Sequence, residues 1–414
     1  MELYFYIALA AILSQLLFLL QTYRNHIYAL KKYAKKHSWH ALRTVLIVPC
    51  KGLDSNFQKN IISFFNLDYE NYLLWFVVAD KSDPAYSELC KLKDQLSQST
   101  KASDVQILVA GTVGQGQCYD GRETNRACSQ KIHNLLYCYE RISDSFDVLA
   151  FADSDICVSQ DWLSHLVWPL RRSEVGASSG YRWYIPKKNN LASLALSAIN
   201  AKIAQLLGPT HFNQAWGGSM AIRKDVFSRV GINKIWQKAL SDDLSLTYAV
   251  KKAGLKIDFR PPCLVASYES MTWRELFEFG RRQFLITRIY AAGTWWFGLF
   301  SSLYSILGLW AGAALAIYAA SIQHQHTELF IAVPVVFFVG QLIRAILRQR
   351  MISELLKKDV PQMKAAMAAD IFGFWAWSLL MLAFIISSAF GRTIRWRGIR
   401  YKLLSPTETI VLSG

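Results

Sequence analysis

The sequence predicts an α/β domain with a largely parallel sheet, set between membrane-spanning helices at both ends. Three observations carry this. Short apolar, β-branched runs alternate with helical patterns from Thr44 to Ala152. Two of these runs lead directly into acidic residues, Asp80 and Asp153, at the strand edge where open α/β sheets bind ligands. Hydrophobic residues make up 52% of the 414, and the excess sits at the two ends of the chain.

Taken in order, Leu3 to Leu20 is uncharged and long enough to span a bilayer. Arg24, Lys31, Lys32, Lys35, Lys36 and Arg43 follow it and place this side in the cytoplasm. No basic stretch precedes the span, so a cleaved signal peptide is the lesser reading. Thr44 to Gly52 reads as a buried first strand with a loop at its tip, and Asn56 to Phe65 as a helix. Leu73 to Asp80 is a second strand, 85–98 a helix, Val105 to Ala110 a third strand and Ser129 to Arg141 a helix. Val148 to Ala152 is a further buried strand, ending on Asp153-Ser-Asp155.

Beyond it, Leu191 to Leu207 is an apolar helix with a thin polar strip of Ser193, Ser197 and Asn200, fit for a core or for the bilayer interface. Ile222 to Phe227 starts a helix, Leu244 to Ala253 is another closed by Gly254, and Lys256–Phe259 and Leu264–Ser267 are two short strands. Thr272 to Ile289 is amphipathic and basic, a membrane-surface helix or a lid whose arginines reach a diphosphate. Trp295–Ala320, Leu329–Leu347 and Ile371–Phe390 can span. The organisation is a span over 1–23, a cytoplasmic domain over 24–270, an interface helix over 271–292, about three spans over 293–392 and a basic tail over 393–414. Four crossings put that basic tail outside, against the positive-inside rule, unless one segment is re-entrant.

The net charge of +16 suits nucleic acid, an anionic membrane or a phosphorylated substrate, and its clustering beside apolar spans favours the membrane. The seven cysteines contain no C-x-x-C pair and read as reduced thiols. Gly111 to Gly116 has neither Walker nor dinucleotide spacing and reads as a surface loop. Asp153 and Asp155 can hold Mg²⁺ or Mn²⁺ and through it a diphosphate, or can simply close a strand with an Asx-turn. Asp242 and Asp243 open a helix, where one acid would satisfy the cap and the dipole. His211 leads into Trp216-Gly217-Gly218-Ser219, where two glycines allow a ligand close to the backbone or simply make a tight turn.

In this order the motifs Val-Pro-Cys-Lys-Gly52, Val-Val-Ala-Asp-Lys-Ser-Asp-Pro84, Lys-Ile-His-Asn-Leu135, Ala-Asp-Ser-Asp155, Trp-Gly-Gly-Ser219, Ser-Asp-Asp243 and Arg-Arg-Gln-Phe284 resemble the family 2 inverting glycosyltransferases. The likeness is to their ceramide glucosyltransferase-like membrane branch. It covers roughly residues 42 to 290, with a weaker likeness in Trp396 to Tyr401.

The resemblance implies a GT-A type domain that binds a UDP-sugar and passes the sugar, glucose by analogy, to a lipid hydroxyl. It implies that Asp80 meets the uracil or ribose and that Lys131 and Asn134 lie near the nucleotide. Asp153 and Asp155 would hold the metal and diphosphate. Arg282 and Gln283 would serve the donor, and Trp216, Gly217, Gly218, Ser219 and His211 the sugar and acceptor. Asp243, with Asp242 beside it, would be the general base. Members that elongate polysaccharides carry Arg-Trp where this chain has Gln283-Phe284, which speaks against a processive synthase. A nucleotide-binding scaffold without chemistry leaves the carboxylates at 153, 155 and 243 unexplained.

Overall fold

The computed structural model describes residues 2–35, 42–54, 56–114, 121, 126–396 and 399–412. Lys36, Cys118, residues 115–120 of the Gly-rich loop and 397–398 of the tail motif lie outside the described residues.

Seven strands form one sheet in the order β3-β2-β1-β4-β6-β5-β7. They are β1 (Thr44–Pro49), β2 (Tyr72–Val78), β3 (Asp104–Val109), β4 (Val148–Ala152), β5 (Val175–Pro186), β6 (Ser219–Arg223) and β7 (Lys256–Glu269). Strands β1 to β4 are mutually parallel where they pair, as the alternating pattern predicts. Helices α2 (Phe57–Phe65), α3 (Pro84–Leu96) and α4 (Gln130–Tyr139) make the crossovers. Every residue of β4 is buried, which is what a strand covered on both faces requires.

The second half departs from the sequence reading. Ser219–Arg223, expected to be turn and helix start, is a strand antiparallel to β4 and β5. The helical turn follows it as α7 (Lys224–Arg229). The two short strands expected between Lys256 and Ser267 are one continuous β7, parallel to β5. Strand β5 follows α5 (Trp162–Val167) and runs for 12 residues, past the sheet edge toward the apolar helices. That overhang brings Arg182 over the acids at the tip of β4.

Helix α6 (Leu191–Ala204) is sandwiched between β5 and the C-terminal helices, and its polar strip is spent on the backbone. Ser197 donates to the Tyr184 carbonyl at 2.7 Å, and Asn200 accepts from the Tyr184 N–H at 3.2 Å. After α8 (Ile232–Ile235), α9 (Asp242–Lys252) starts two residues before the predicted point, with Ser241 as its N-cap. Gly254 follows its end in the left-handed region, as predicted. The amphipathic helix is α10 (Trp273–Tyr290), opened by a capping box of Thr272 and Glu275.

Four helical segments are long and apolar enough to cross a membrane. They are α1 (Glu2–Tyr33), α11 (Ala292–Ile306) continuing into α12 (Gly312–Ser321), α13 (Thr327–Leu355) and α14 (Val360–Ser388). Helix α1 runs past its predicted end and docks on β7, where the Tyr28 hydroxyl donates to the Phe259 carbonyl at 2.9 Å.

Both ends of α14 are tied down, the start to β7 and the far end to α10. Tyr268 of β7 donates to Asp359 at its start at 2.5 Å. At its far end, Arg281 of α10 donates to the carbonyls of Ser387 and Phe390, and Arg288 to those of Ala389 and Gly391. The basic tail then folds into β8 (Thr393–Trp396), β9 (Ile399–Ser405) and β10 (Glu408–Leu412). Ile394, Tyr401 and Leu403 of that small sheet pack on Leu285, Ile286 and Tyr290 of α10. The tail therefore lies against α10, close to the far end of α14.

Candidate active site

The site is assembled at the edge where β1 and β4 end, β6 begins and β5 overhangs. Gly217 and Gly218 thread the backbone between four side chains. A Cβ at Gly217 would lie 2.4 Å from Asp242 Oδ2, and one at Gly218 2.2 Å from the Trp216 ring and 2.8 Å from Asp153 Oδ2. Only glycine passes there, so the pair is fixed by close approach rather than by a simple turn.

Lys131, in the first turn of α4, joins two of the predicted acids. Its Nζ lies 2.7 Å from Asp153 Oδ1 and 2.8 Å from Asp242 Oδ2, and it donates to the Gly217 carbonyl at 3.3 Å. Burial works against the ammonium, yet Asp153 and Asp242 outweigh it and hold its pKa above the usual value. Asp242 is buried beside it; burial pushes its carboxyl up to about 6, against Lys131 and with help from Asp243 and Asp153.

Asp243 has a different environment. Its Oδ2 accepts from the Gly217 N–H at 3.1 Å, and its Oδ1 from the Ser241 hydroxyl at 2.5 Å and the Leu244 N–H at 2.7 Å. Three donors at the start of α9 fix the orientation of its carboxyl group. Since Ser241 is the cap, capping accounts for neither acid.

Arg182 is the residue that sequence reasoning missed. Its guanidinium lies 3.4 Å from Asp153 and 3.3 Å from Asp155, and 4.8 Å from the Trp216 ring centroid. An arginine in the aromatic run Tyr181-Arg-Trp-Tyr184 was the available signal, because an arginine in a buried strand needs an acidic partner.

These groups line one cavity of about 760 Å³. Asn134, Trp216, Gly217, Gly218, Asp153, Asp155, Asp242 and Asp243 all border it, as do Arg282 and Gln283 from α10. Asn134 accepts from Gln130 at 2.7 Å, and Gln130 also holds the Gly111 carbonyl at 2.9 Å, fastening the start of the Gly-rich loop to α4.

Three predicted residues are not brought there. Ser219 is buried and turns into the core, accepting from the Trp162 indole N–H at 3.0 Å. His211 is exposed outside the cavity, and its neighbours Phe212 and Gln214 take the lining positions. Asp80 is exposed beyond the end of β2, caps its own turn by accepting from the Ser82 N–H at 2.7 Å, and leaves Ala79 on the cavity wall.

The arginines of α10 also divide. Arg281 and Arg288 are committed to the α14 carbonyls and Arg274 pairs with Glu278, whereas Arg282 faces the cavity with Phe279 5.5 Å away. Arg288→Ala is therefore expected to lower the melting temperature and leave the donor KM unchanged. Arg282→Ala is expected to raise the donor KM by the equivalent of about 1.5–3 kcal/mol, the worth of one charge-assisted contact. Steady-state kinetics on both variants check this; a change confined to the acceptor KM would assign Arg282 to the lipid.

Residues 3–409 match the family model described as glycosyl transferase family 21. The chain belongs to that family. It is the ceramide glucosyltransferase branch that the ordered motifs resemble, and its members are glycosyltransferases. Among solved structures, the chain is similar to the mannosyltransferase PcManGT from Pyrobaculum calidifontis, in complex with GDP-Man and Mn²⁺. That likeness has 12% identity over 92% of this chain and 97% of the other, with a TM-score of 0.41. It is also similar to GalNAc-T7 with UDP, GalNAc and Mn²⁺, at 13% identity over 56% of this chain and 44% of that one, with a TM-score of 0.37. The family 21 enzyme is thus an α/β glycosyltransferase domain joined to apolar helices of membrane-spanning length, as its sequence predicts.

Proposed function

We propose that the enzyme moves one sugar, glucose, from a UDP-sugar to the hydroxyl of a lipid, ceramide-like or other, at the cytoplasmic membrane face. A single observation carries this reading. The cavity that holds Lys131, Asp153, Asp155 and Asp243 continues without a break between the apolar helices, to Phe18 of α1, Tyr304 of α11 and Phe374 of α14. A lipid acceptor stays in the bilayer, so its hydroxyl has to meet the donor along such a path.

The reaction is a single displacement. The lipid oxygen forms a bond to the anomeric carbon from the face opposite the diphosphate. The carbon–oxygen bond to the diphosphate breaks, its electron pair leaves with UDP, and the hydroxyl proton passes to Asp243. Inversion follows from one displacement. Lys131 and Arg182 are positioned to offset charge on the leaving diphosphate. A divalent ion, Mg²⁺ or Mn²⁺, fits beside them: Asp153 and Asp155 are hard oxygen donors, and such ions bind through one or two carboxylates plus substrate phosphates. When bound, it supplies electrostatic stabilisation of the departing diphosphate.

The test is UDP release by the purified enzyme with and without lipid, followed by mass spectrometry of the product from labelled UDP-sugars offered one at a time. One sugar per lipid is the expected product. Products bearing several sugars would instead mean polysaccharide synthesis, and UDP release indifferent to lipid would overturn the acceptor class.

The same reading carries a topology. With α14 held by β7 at its start and by α10 at its far end, it lies along that face as one continuous helix, and α1, α11–α12 and α13 are the three crossings. The N-terminus is outside, and the basic tail is cytoplasmic in accord with its charge. In sealed vesicles, a C-terminal tag is expected to be cleaved by protease whenever the catalytic domain is accessible, and protected whenever it is not. Opposite behaviour of tag and domain would make α14 a fourth crossing.

A further inference from the structure

The membrane end of the cavity carries charge that the transfer reaction does not use. Lys202 of α6 and Arg344 and Arg348 of α13 all line it, with Gln341 beside them. Arg348 is fully satisfied: it forks onto Asp370 of α14 at 2.6 and 2.5 Å and donates to Gln205 at 3.2 Å. Asp370 also accepts from Gln349 at 2.6 Å, so its carboxylate is taken up. One acid therefore neutralises one of three bases.

Lys202 and Arg344 have only neutral partners. Lys202 donates to Ser378 at 2.5 Å, and Arg344 donates to Thr22 at 3.1 Å with the Phe18 ring 5.7 Å from its guanidinium. Neither makes an ion pair among the described residues. Gln341 is more than nine-tenths buried, yet its amide nitrogen has no hydrogen-bond acceptor. Gln205 accepts from Arg348 at 3.2 Å and donates to the Lys202 carbonyl at 3.1 Å, and Arg344 lies one turn before Arg348 on α13, so the three bases are neighbours. Cations kept at such depth are costly unless an anion joins them. The cavity rim offers an entrance, since Phe212 and Phe297 stack there at 6.4 Å and are both exposed.

We infer that Lys202, Arg344 and the Gln341 amide bind the anionic headgroup of a membrane lipid, a phosphate by its chemistry, drawn into the cavity past Phe212 and Phe297. The guanidinium and ammonium supply charge-assisted donors, and the amide supplies a neutral one. The inference rests on the reading of the cavity as open to the bilayer and is independent of the sugar transferred.

The full-length enzyme would be loaded into nanodiscs of phosphatidylcholine alone or mixed with phosphatidylglycerol, and bound lipid read by native mass spectrometry. The wild type is expected to retain phosphatidylglycerol in preference to phosphatidylcholine. Lys202→Met and Arg344→Gln are each expected to weaken that preference about tenfold, and Arg344→Lys to keep most of it. UDP-sugar calorimetry on the same samples reports folding and the donor site separately. Loss of donor binding with the lipid preference intact would count against the proposed function alone. Equal retention of the two lipids by the wild type, or an unchanged preference in both neutral variants, overturns the inference. Inorganic phosphate added to the phosphatidylcholine sample separates the sources: phosphate binding without a preference for phosphatidylglycerol overturns the lipid assignment.

Discussion

Asp243→Asn is expected to cut transfer by about 10²–10⁴-fold while leaving UDP-sugar binding intact, the usual share of a positioned general base. Asp243 borders the cavity, and three donors fix its carboxylate. Those donors hold the carboxylate aimed, which a base needs before the acceptor arrives. Burial raises the Asp242 pKa to about 6, yet Lys131 lies 2.8 Å from its Oδ2. A carboxylate whose exposed face is closed by an ammonium is better suited to hold Lys131 in place than to take a proton. Asp242→Asn should therefore lose much less transfer, with its effect on donor binding through Lys131. Calorimetry beside turnover on both variants decides. If Asp243→Asn turns over normally while Asp242→Asn is dead, the roles are exchanged; if both are active, the base is neither.

The parallel half of the sheet was legible because buried strands of a doubly covered sheet leave continuous apolar runs. Val148 to Ala152 matches its predicted span residue for residue. The antiparallel half was hidden for a physical reason. Ser219–Arg223 is only five residues long and runs straight into a helical turn, so no period is established. The carboxylates of the site were readable, since acids at a strand tip and a helix start have no packing reason to be there. Their partner Arg182 was not, because it lies 27 and 29 residues beyond the acids it meets, with only the overhang of β5 to join them. The basic stripe of α10 pointed two ways. A guanidinium bonds a helix's final carbonyls as readily as a phosphate, and only the position of α14 separates Arg281 and Arg288 from Arg282. The basic tail conflicts with four crossings in the sequence, since apolar length alone does not distinguish a helix that crosses a bilayer from one that lies along its face.

Excess chelator is expected to abolish transfer, and Asp155→Ala to leave the enzyme folded and inactive. Among the described residues no three metal-ligating side chains cluster, and the described part of the site offers the two carboxylates of Asp153 and Asp155. An ion held so sparsely needs the donor diphosphate to complete its shell, and its binding should be detectable only with UDP present. The acids are not idle meanwhile: Lys131 and Arg182 lie against them at 2.7 to 3.4 Å. Asp153 and Asp155 would hold the ion and Arg182 would be free to meet the diphosphate, so the arginine and the ion would be complementary rather than redundant. Loss of the ion then forfeits several kcal/mol of transition-state stabilisation, or about 10³-fold in rate. Arg182→Met should lose less, because Lys131 remains. The opposing mechanism uses the two basic side chains alone to offset the leaving charge. It predicts full turnover in excess EDTA and a collapse in Arg182→Met, and that pair of results would remove the metal from this enzyme.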